Sequence, residues 1–432
     1  MSPEPAKIVE SKRRSWVIDL RPLRGVAYRR MWLGNGVSFF GFQFTAVAVP
    51  VEMFAITHSS AWVGLLGLAA LVPLLIFGLW GGAAADVVDR RKLLLASSTL
   101  AWIATAGLLM QAVLGLHSPM LLLALTAVQS AGFAVSSPTR QAIIPRIVPA
   151  ELVPAANTLN YTTTTAGGVL GPLAAGLIFG LWSTDTGVTI AYAVDALFFT
   201  ISFWASYRLP PIPPLHEDGT IPRPTVGVRG VVDGLRFLAG QPVLLLSFAV
   251  DIVAMVLAMP RALFPEIAEE RFGGGSAVGW LFAAIAIGSV VGGLTSGWIG
   301  RIKRQGAALV VAVVGWGIAV GLAGLAHQLW LMVLLLAVGG AADLVSAVYR
   351  MSILQTFAPD RLRGRLQGVF TVVVAGGPRL GDLRAGATAD LTGPTASWAG
   401  GGFAAAGLAV VLALAFPALL RYRPPADAET TR

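Results

Sequence analysis

The chain has 432 residues, 56% apolar and 12% charged, with 50 glycines and a formal charge of +9. A soluble domain carries about 25% charged residues, so this composition, with a mean hydropathy of +0.74, belongs to a protein that lives in a bilayer. No cysteine occurs, which excludes disulfides, iron–sulfur clusters and thiolate catalysis.

Residues 1–30 are charged and lack the apolar core and small-residue cleavage site of a signal peptide, so none is expected. Spanning hydrocarbon takes roughly 20 apolar residues per helix. Turn signals divide the remainder into twelve such stretches, near 31–56, 62–84, 93–115, 119–141, 154–181, 187–207, 242–264, 276–299, 306–326, 329–357, 366–388 and 396–420. Cations fall in alternate loops: Lys12 to Arg30 before the first span, Arg90 to Lys92 after the second, Arg301 to Arg304 after the eighth, Arg361 to Arg365 after the tenth. The opposite loops carry almost none, which puts both termini in the cytoplasm and explains the basic balance without nucleic acid.

The last third of the chain repeats the first at an offset of 210. Arg140 recurs as Arg350, Pro50 as Pro260, and Gly171, Ala175 and Gly176 as Gly381, Ala385 and Gly386. Duplicated halves are a property of transporters. The expected organisation is a cytoplasmic segment 1–30, a six-helix bundle 31–207, a Pro-rich cytoplasmic linker 208–241, a second six-helix bundle 242–420 and a cytoplasmic tail 421–432.

Charges inside the spans point to function, because each costs roughly 2.5–3.5 kcal/mol at the bilayer centre on insertion scales. They are Glu52, Asp195, Asp251, Asp343, Asp382, Arg261, Arg350, Arg379 and Arg384. Asp343 and Arg350 are two turns apart on one helix face, and Asp382 and Arg379 one turn apart. A proton and an arginine or ligand can compete for one buried acid. Proton binding is therefore expected at Asp343, then Asp251, Glu52 and Asp382, and an anionic substrate at Arg261, Arg379 and Arg384. The first bundle is expected to add Asn35, Gln43, Gln129 and Asn160 to a central cavity. A fixed ion-pair network that sets helix register is the alternative reading, most of all for Arg350 and Asp195, which are placed toward helix ends. The four histidines fall in loops or the linker with no metal-ligand spacing, so no metal and no cofactor are expected.

Two motifs carry a family resemblance. GGAAADVVDRRKLLL at 81–95, with Gly82, Asp86, Arg90 and Arg91, resembles the signature loop of the major facilitator superfamily, which implies a gating latch with Arg140 as a candidate partner and Arg350 as its counterpart in the second half. GGVLGPLAAG at 167–176 resembles the hinge of its antiporters, at Gly167, Gly171, Pro172 and Gly176. The run from Asp343 through Ser346, Arg350, Gln355 and Pro359 to Arg365, with VAVPVEMFAITHSSAWVGL at 47–65 and GWLFAAIAIGSVVGGLTSG at 279–297, is similar to the enterobactin-exporter branch of that superfamily. The resemblance implies an all-α polytopic membrane protein, twelve transmembrane helices in two pseudo-symmetric six-helix bundles. It also implies a proton-coupled exporter, an antiporter, of a siderophore or similar amphiphile in the bacterial inner membrane. Its partners are a small-molecule substrate, protons and the lipid bilayer, and a monomer is expected. A multidrug or macrolide efflux pump and a non-transporting receptor are the competing functions; neither a hydrolase motif nor a phosphate-binding loop supports an enzyme.

Overall fold

A computed structural model describes residues 19–213, 236–357 and 363–423. Most of the linker, the tail beyond Arg423 and Pro359 lie outside these. In hydrocarbon every backbone polar group must find an internal partner, and the apolar runs satisfy this as long helices. The first six are α1 (Val26–Thr57), α2 (Ser60–Val87), α3 (Arg90–Val113), α4 (Pro119–Ile147), α5 (Val153–Leu181) and α6 (Thr184–Tyr207). Their starts are chemically marked: Ser59 Oγ accepts from Trp62 N at 3.4 Å, and Asp89 Oδ1 from Arg91 N at 2.8 Å. His58 closes α1 at φ 47°, so only two residues separate α1 from α2.

The second set comprises α7 (Pro242–Ala258), α8 (Phe264–Phe272), α9 (Ser276–Leu294), α10 (Gln305–Leu325), α11 (Leu329–Phe357), α12 (Arg363–Thr392), α13 (Pro394–Ala415) and the short α14 (Pro417–Arg421). Eleven of the membrane-length segments are apolar enough to cross a bilayer by composition. The other long helix, α12, carries Arg379, Asp382, Arg384 and Asp390 in its second half.

The seventh span is not the single helix expected over 242–264. α7 stops at Ala258, a 3-10 turn covers Arg261–Leu263, and α8 continues to Phe272. Pro260 and Pro265 each remove a backbone donor, and α12 takes up what the break releases. Asp382 Oδ1 accepts from Ala262 N at 3.3 Å, while Arg384 donates to the carbonyls of Val256 (3.3 Å), Leu257 (2.5 Å) and Ser397 (3.1 Å). Arg384 thus caps the C-terminal end of α7. Arg384→Ala would strand the two α7 carbonyls, Val256 and Leu257, each at a cost of about 1–3 kcal/mol. A clear fall in the thermal midpoint of the purified protein, partly restored by Arg384→Lys, is expected.

The five main helix pairings of the first bundle, α1 on α6, α1 on α5, α2 on α4, α3 on α4 and α3 on α6, recur in the second as α7 on α13, α7 on α12, α9 on α11, α10 on α11 and α10 on α13. The bundles meet along two seams, α2 with α12 and α5 with α9. The repeated glycines explain both levels. Gly171 lets Gln43 of α1 approach α5 as Gly381 lets Met255 of α7 approach α12, while Gly176 faces Gly279 and Gly386 faces Ser60 across the seams. A Cβ on Gly176 would stand 2.7 Å from Gly279 Cα, closer than real contacts allow.

These seams are sealed at the end away from the basic loops. There Ser59 Oγ donates to Asp390 Oδ2 at 2.5 Å, Ala61 N donates to Asp390 Oδ1 at 3.2 Å, and Ser60 bonds to Glu266. Asp390 thereby holds the N-terminus of α2 from the other bundle. Toward the basic end a Cβ built on Gly78 of α2 meets nothing within 4 Å. Because the chain has no native cysteine, spin labels on Leu116→Cys and Gln328→Cys, one per bundle at the sealed end, report this latch. Asp390→Ala should lengthen their distance distribution, and an unchanged distribution would refute the latch.

Candidate functional site

A cavity of about 470 Å³ lies between the bundles below the sealed end. α1 contributes Phe42, Gln43 and Thr45, α4 Gln129, α12 Arg379 and Asp382, and the break after α7 contributes Arg261. The break places Arg261 here: with no regular helix around it, its side chain is exposed to the cavity and makes no hydrogen bond among the described residues. Arg379 is held by the Ala375 carbonyl at 2.7 Å. Asp343 on α11 is half-buried, and Arg261 lies within Coulombic reach of both Asp343 and Asp382. One unbonded guanidinium, a second beside it and the Asp382 carboxylate, with Asp343 within Coulombic reach of Arg261, make a site that can take an acidic or hydroxyl-rich ligand.

A side pocket of about 160 Å³ opens from the same region and shares Phe42 and Gln129 with it. Here the structure gathers Asn35, Asn160 and Arg140: Arg140 Nη1 donates to Asn35 Oδ1 at 2.5 Å, and Asn35 Nδ2 to Asn160 Oδ1 at 3.3 Å. Phe42 stacks on Phe133 at 6.0 Å between centroids along its wall. The expected polar set is therefore split, Gln43 in the central cavity, Asn35 and Asn160 in the side pocket, and Gln129 in both. Arg140, the candidate latch partner, lines this side pocket.

Other sequence expectations are redistributed. The pairing of Asp343 with Arg350 does not form: Arg350 makes an ion pair with Asp251 of α7, their side chains 4% and 2% exposed, and its guanidinium lies over the Phe370 ring. Asp251, expected as a proton site, is thus bound to an arginine outside the cavity. Arg384, expected at the substrate, is spent on the α7 carbonyls. Arg90 donates to the Ala142 carbonyl at 2.9 Å and Arg91 to the Tyr207 carbonyl at 2.7 Å, both within the first bundle. The side-chain surroundings of Gly82, Asp86, Arg363 and Arg365 lie outside the described residues. Gly167 faces Phe39 of α1, and Pro172 sits inside an unbroken α5. Glu52 accepts from Gln111 Nε2 and from the Tyr192 hydroxyl, each at 2.6 Å. Asp195 is fully buried rather than near a helix end, and accepts from Thr45 Oγ1 at 2.6 Å.

Sequence reading missed Asp390, Glu266, Thr45 and Tyr192. Asp390 carries a signal, as an acid beside a loop otherwise free of charge, whereas Glu266 is one of several charges with Glu269, Glu270 and Arg271 on one short helix. Thr45 and Tyr192 carry none.

Two pseudo-symmetric bundles around a charged central cavity define a membrane transporter of the major facilitator fold, not an enzyme. The chain belongs to the transmembrane secretion effector family, which matches residues 18–430. Curated relatives include the enterobactin exporter EntS of Shigella boydii serotype 18, 30% identical over 424 residues and covering 96% of this chain and 98% of that protein. The enterobactin exporter of Escherichia coli O81 is 29% identical over the same shares. Among solved structures, the nucleoside transporter NupG superposes with a TM-score of 0.72 at 16% identity, over 92% of this chain and 100% of that one. A bacterial homologue of the lysosomal transporter Spinster gives 0.68 at 18% identity, over 94% and 100%. These two likenesses establish the fold.

Proposed function

We propose that this transporter is a proton-coupled exporter of a siderophore or similar hydroxyl-rich amphiphile, open in this conformation toward the cytoplasm. The observation that carries the reading is the unbonded Arg261 at a helix break, facing a cavity of about 470 Å³ beside Arg379 and Asp382. Such a volume suits a drug-sized ligand. A cytoplasmic open end is supported by the basic loops through the positive-inside rule, and relatives at 29–30% identity are named enterobactin exporters.

Arg261 and Arg379 would receive the acceptor or anionic oxygens of a catechol, and a catechol hydroxyl would donate to the ionised carboxylate of Asp382 or Asp343. A proton on the same carboxylate removes that acceptor. Ligand and proton then exclude one another, which is the requirement for antiport. Gly176 and Gly279 would let the bundles rock about their smooth seam. A planar cationic drug would find the Phe42–Phe133 wall favourable but would meet Arg140 in the same pocket, so the charge distribution favours the acidic ligand.

The test is calorimetric titration with iron-free enterobactin in buffers of different ionisation enthalpy. Antiport predicts protons released on binding, diminished in Asp382→Asn and Asp343→Asn. Binding without proton release would overturn the competition.

A further inference from the structure

The seam between α1 and α6 holds two buried carboxyl groups, neither bonded to an arginine or lysine among the described residues. Asp195 of α6 is 0% exposed; its Oδ2 accepts from Thr45, Thr105 of α3 stands beside it, and its Oδ1 has no hydrogen-bond partner. Gly41 of α1 encloses that free oxygen, since a Cβ there would stand 3.0 Å from it. About three turns beyond Gly41 on α1, Glu52 is 6% exposed and bonded to Gln111 and to the fully buried Tyr192. The titratable groups facing this seam are Glu52, Tyr192, Asp195 and, at its rim, His117 and Asp185. α3 adds Thr105 and Gln111, α4 adds Gln129 through Thr105, and α5 carries no charged residue.

The two acids border different spaces. Glu52 lines a cavity of about 270 Å³ at the sealed end, together with His117 and Asp185. The partner of Asp195, Thr45, lines the central cavity. Tyr192 lies between them, one turn before Asp195 on α6, with its hydroxyl on Glu52 and within Coulombic reach of both acids. A carboxylate buried without a counter-charge is costly, and a bound proton removes the charge. The acids of the second bundle differ, because arginines accompany Asp251, Asp343 and Asp382.

We propose that the α1–α6 seam is a proton-binding element separate from the ligand site, in which Asp195 holds a proton beside the central cavity and Glu52 exchanges it with the cavity at the sealed end. The step is a proton transfer alone: Glu52 takes a proton from the outer cavity, and Asp195 receives one and later yields it through the Thr45 side to the central cavity. In this conformation Tyr192 bonds Glu52 and not Asp195, so the two stations are separated and the seam does not short-circuit the gradient. The proposal rests on the proton-coupled reading above and deepens it.

The test combines two readouts on the full chain. Infrared difference spectra of the ligand-free protein should show a protonated-carboxyl C=O band that Asp195→Asn removes, and Glu52→Gln should slow the deuterium exchange of that band. In proteoliposomes, Asp195→Asn and Glu52→Gln should keep counterflow of radiolabelled enterobactin but lose accumulation driven by a pH gradient. A band that survives Asp195→Asn, exchange indifferent to Glu52→Gln, or gradient-driven accumulation retained in both variants would each overturn the proposal. If the wild type shows no enterobactin counterflow, the substrate reading fails, and the infrared band still decides the proton site.

Discussion

Replacing Arg350 with methionine alone is expected to destabilise the folded protein by about 3–5 kcal/mol, because it leaves the Asp251 carboxylate buried at 2% exposure without its partner. Asp251→Leu alone should do comparable harm by stranding the guanidinium over Phe370. The double replacement removes both charges and is expected to recover most of the loss, since exchanging a buried ion pair for apolar side chains is neutral or stabilising by about 1–4 kcal/mol in measured cases. The check is a double-mutant cycle on the thermal midpoint of purified protein, with transport assayed beside it. A double variant that folds and still transports assigns the pair to structure. One that folds as well as the wild type and transports nothing would give the pair a role in the cycle.

Arg261→Gln should leave folding intact and weaken ligand binding about ten- to a hundredfold, the range for losing one hydrogen bond to a charged group. The structural reason is that Arg261 makes no hydrogen bond to the protein among the described residues, so its removal orphans nothing. Arg261→Lys keeps the charge without the forked geometry and should recover only part of the affinity. Arg379→Gln is expected to act in the same direction with a smaller effect, because one nitrogen of Arg379 is engaged by the Ala375 carbonyl. Tryptophan fluorescence titration with iron-free enterobactin measures both. Unchanged affinity in Arg261→Gln would remove the cavity arginine from the binding site.

The duplication was readable because the same glycines recur at one offset, and the structure uses Gly171 with Gly381, and Gly176 with Gly386, for equivalent contacts. The offset misleads at Pro50 and Pro260. Pro50 sits inside the continuous α1, whereas Pro260 marks a break. A second proline five residues on, and Asp382 and Arg384 reaching across from α12, make the break tolerable only in the second bundle. Helical spacing correctly put Asp343 and Arg350 two turns apart on α11. It could not reveal that Asp251, on another helix, would claim Arg350. Thr45 and Asp195 meet across 150 positions of sequence, and Ser59 and Asp390 across 331; contacts of that kind depend on how helices pack, which periodicity along one helix does not encode. The basic residues Arg90 and Arg91 were legible as a cluster, but the carbonyls of α4 and α6 that they bond leave no mark in the sequence.

The most direct measurement of proton-coupled export is ligand-driven proton movement in proteoliposomes loaded with a pH-sensitive dye. An outward gradient of iron-free enterobactin is compared with one of a cationic dye, in wild type and Arg261→Gln. Proton entry is expected with enterobactin, little with the cation, and a strongly reduced signal in Arg261→Gln. Proton movement with the cationic dye alone, or enterobactin flux that moves no protons, would contradict it.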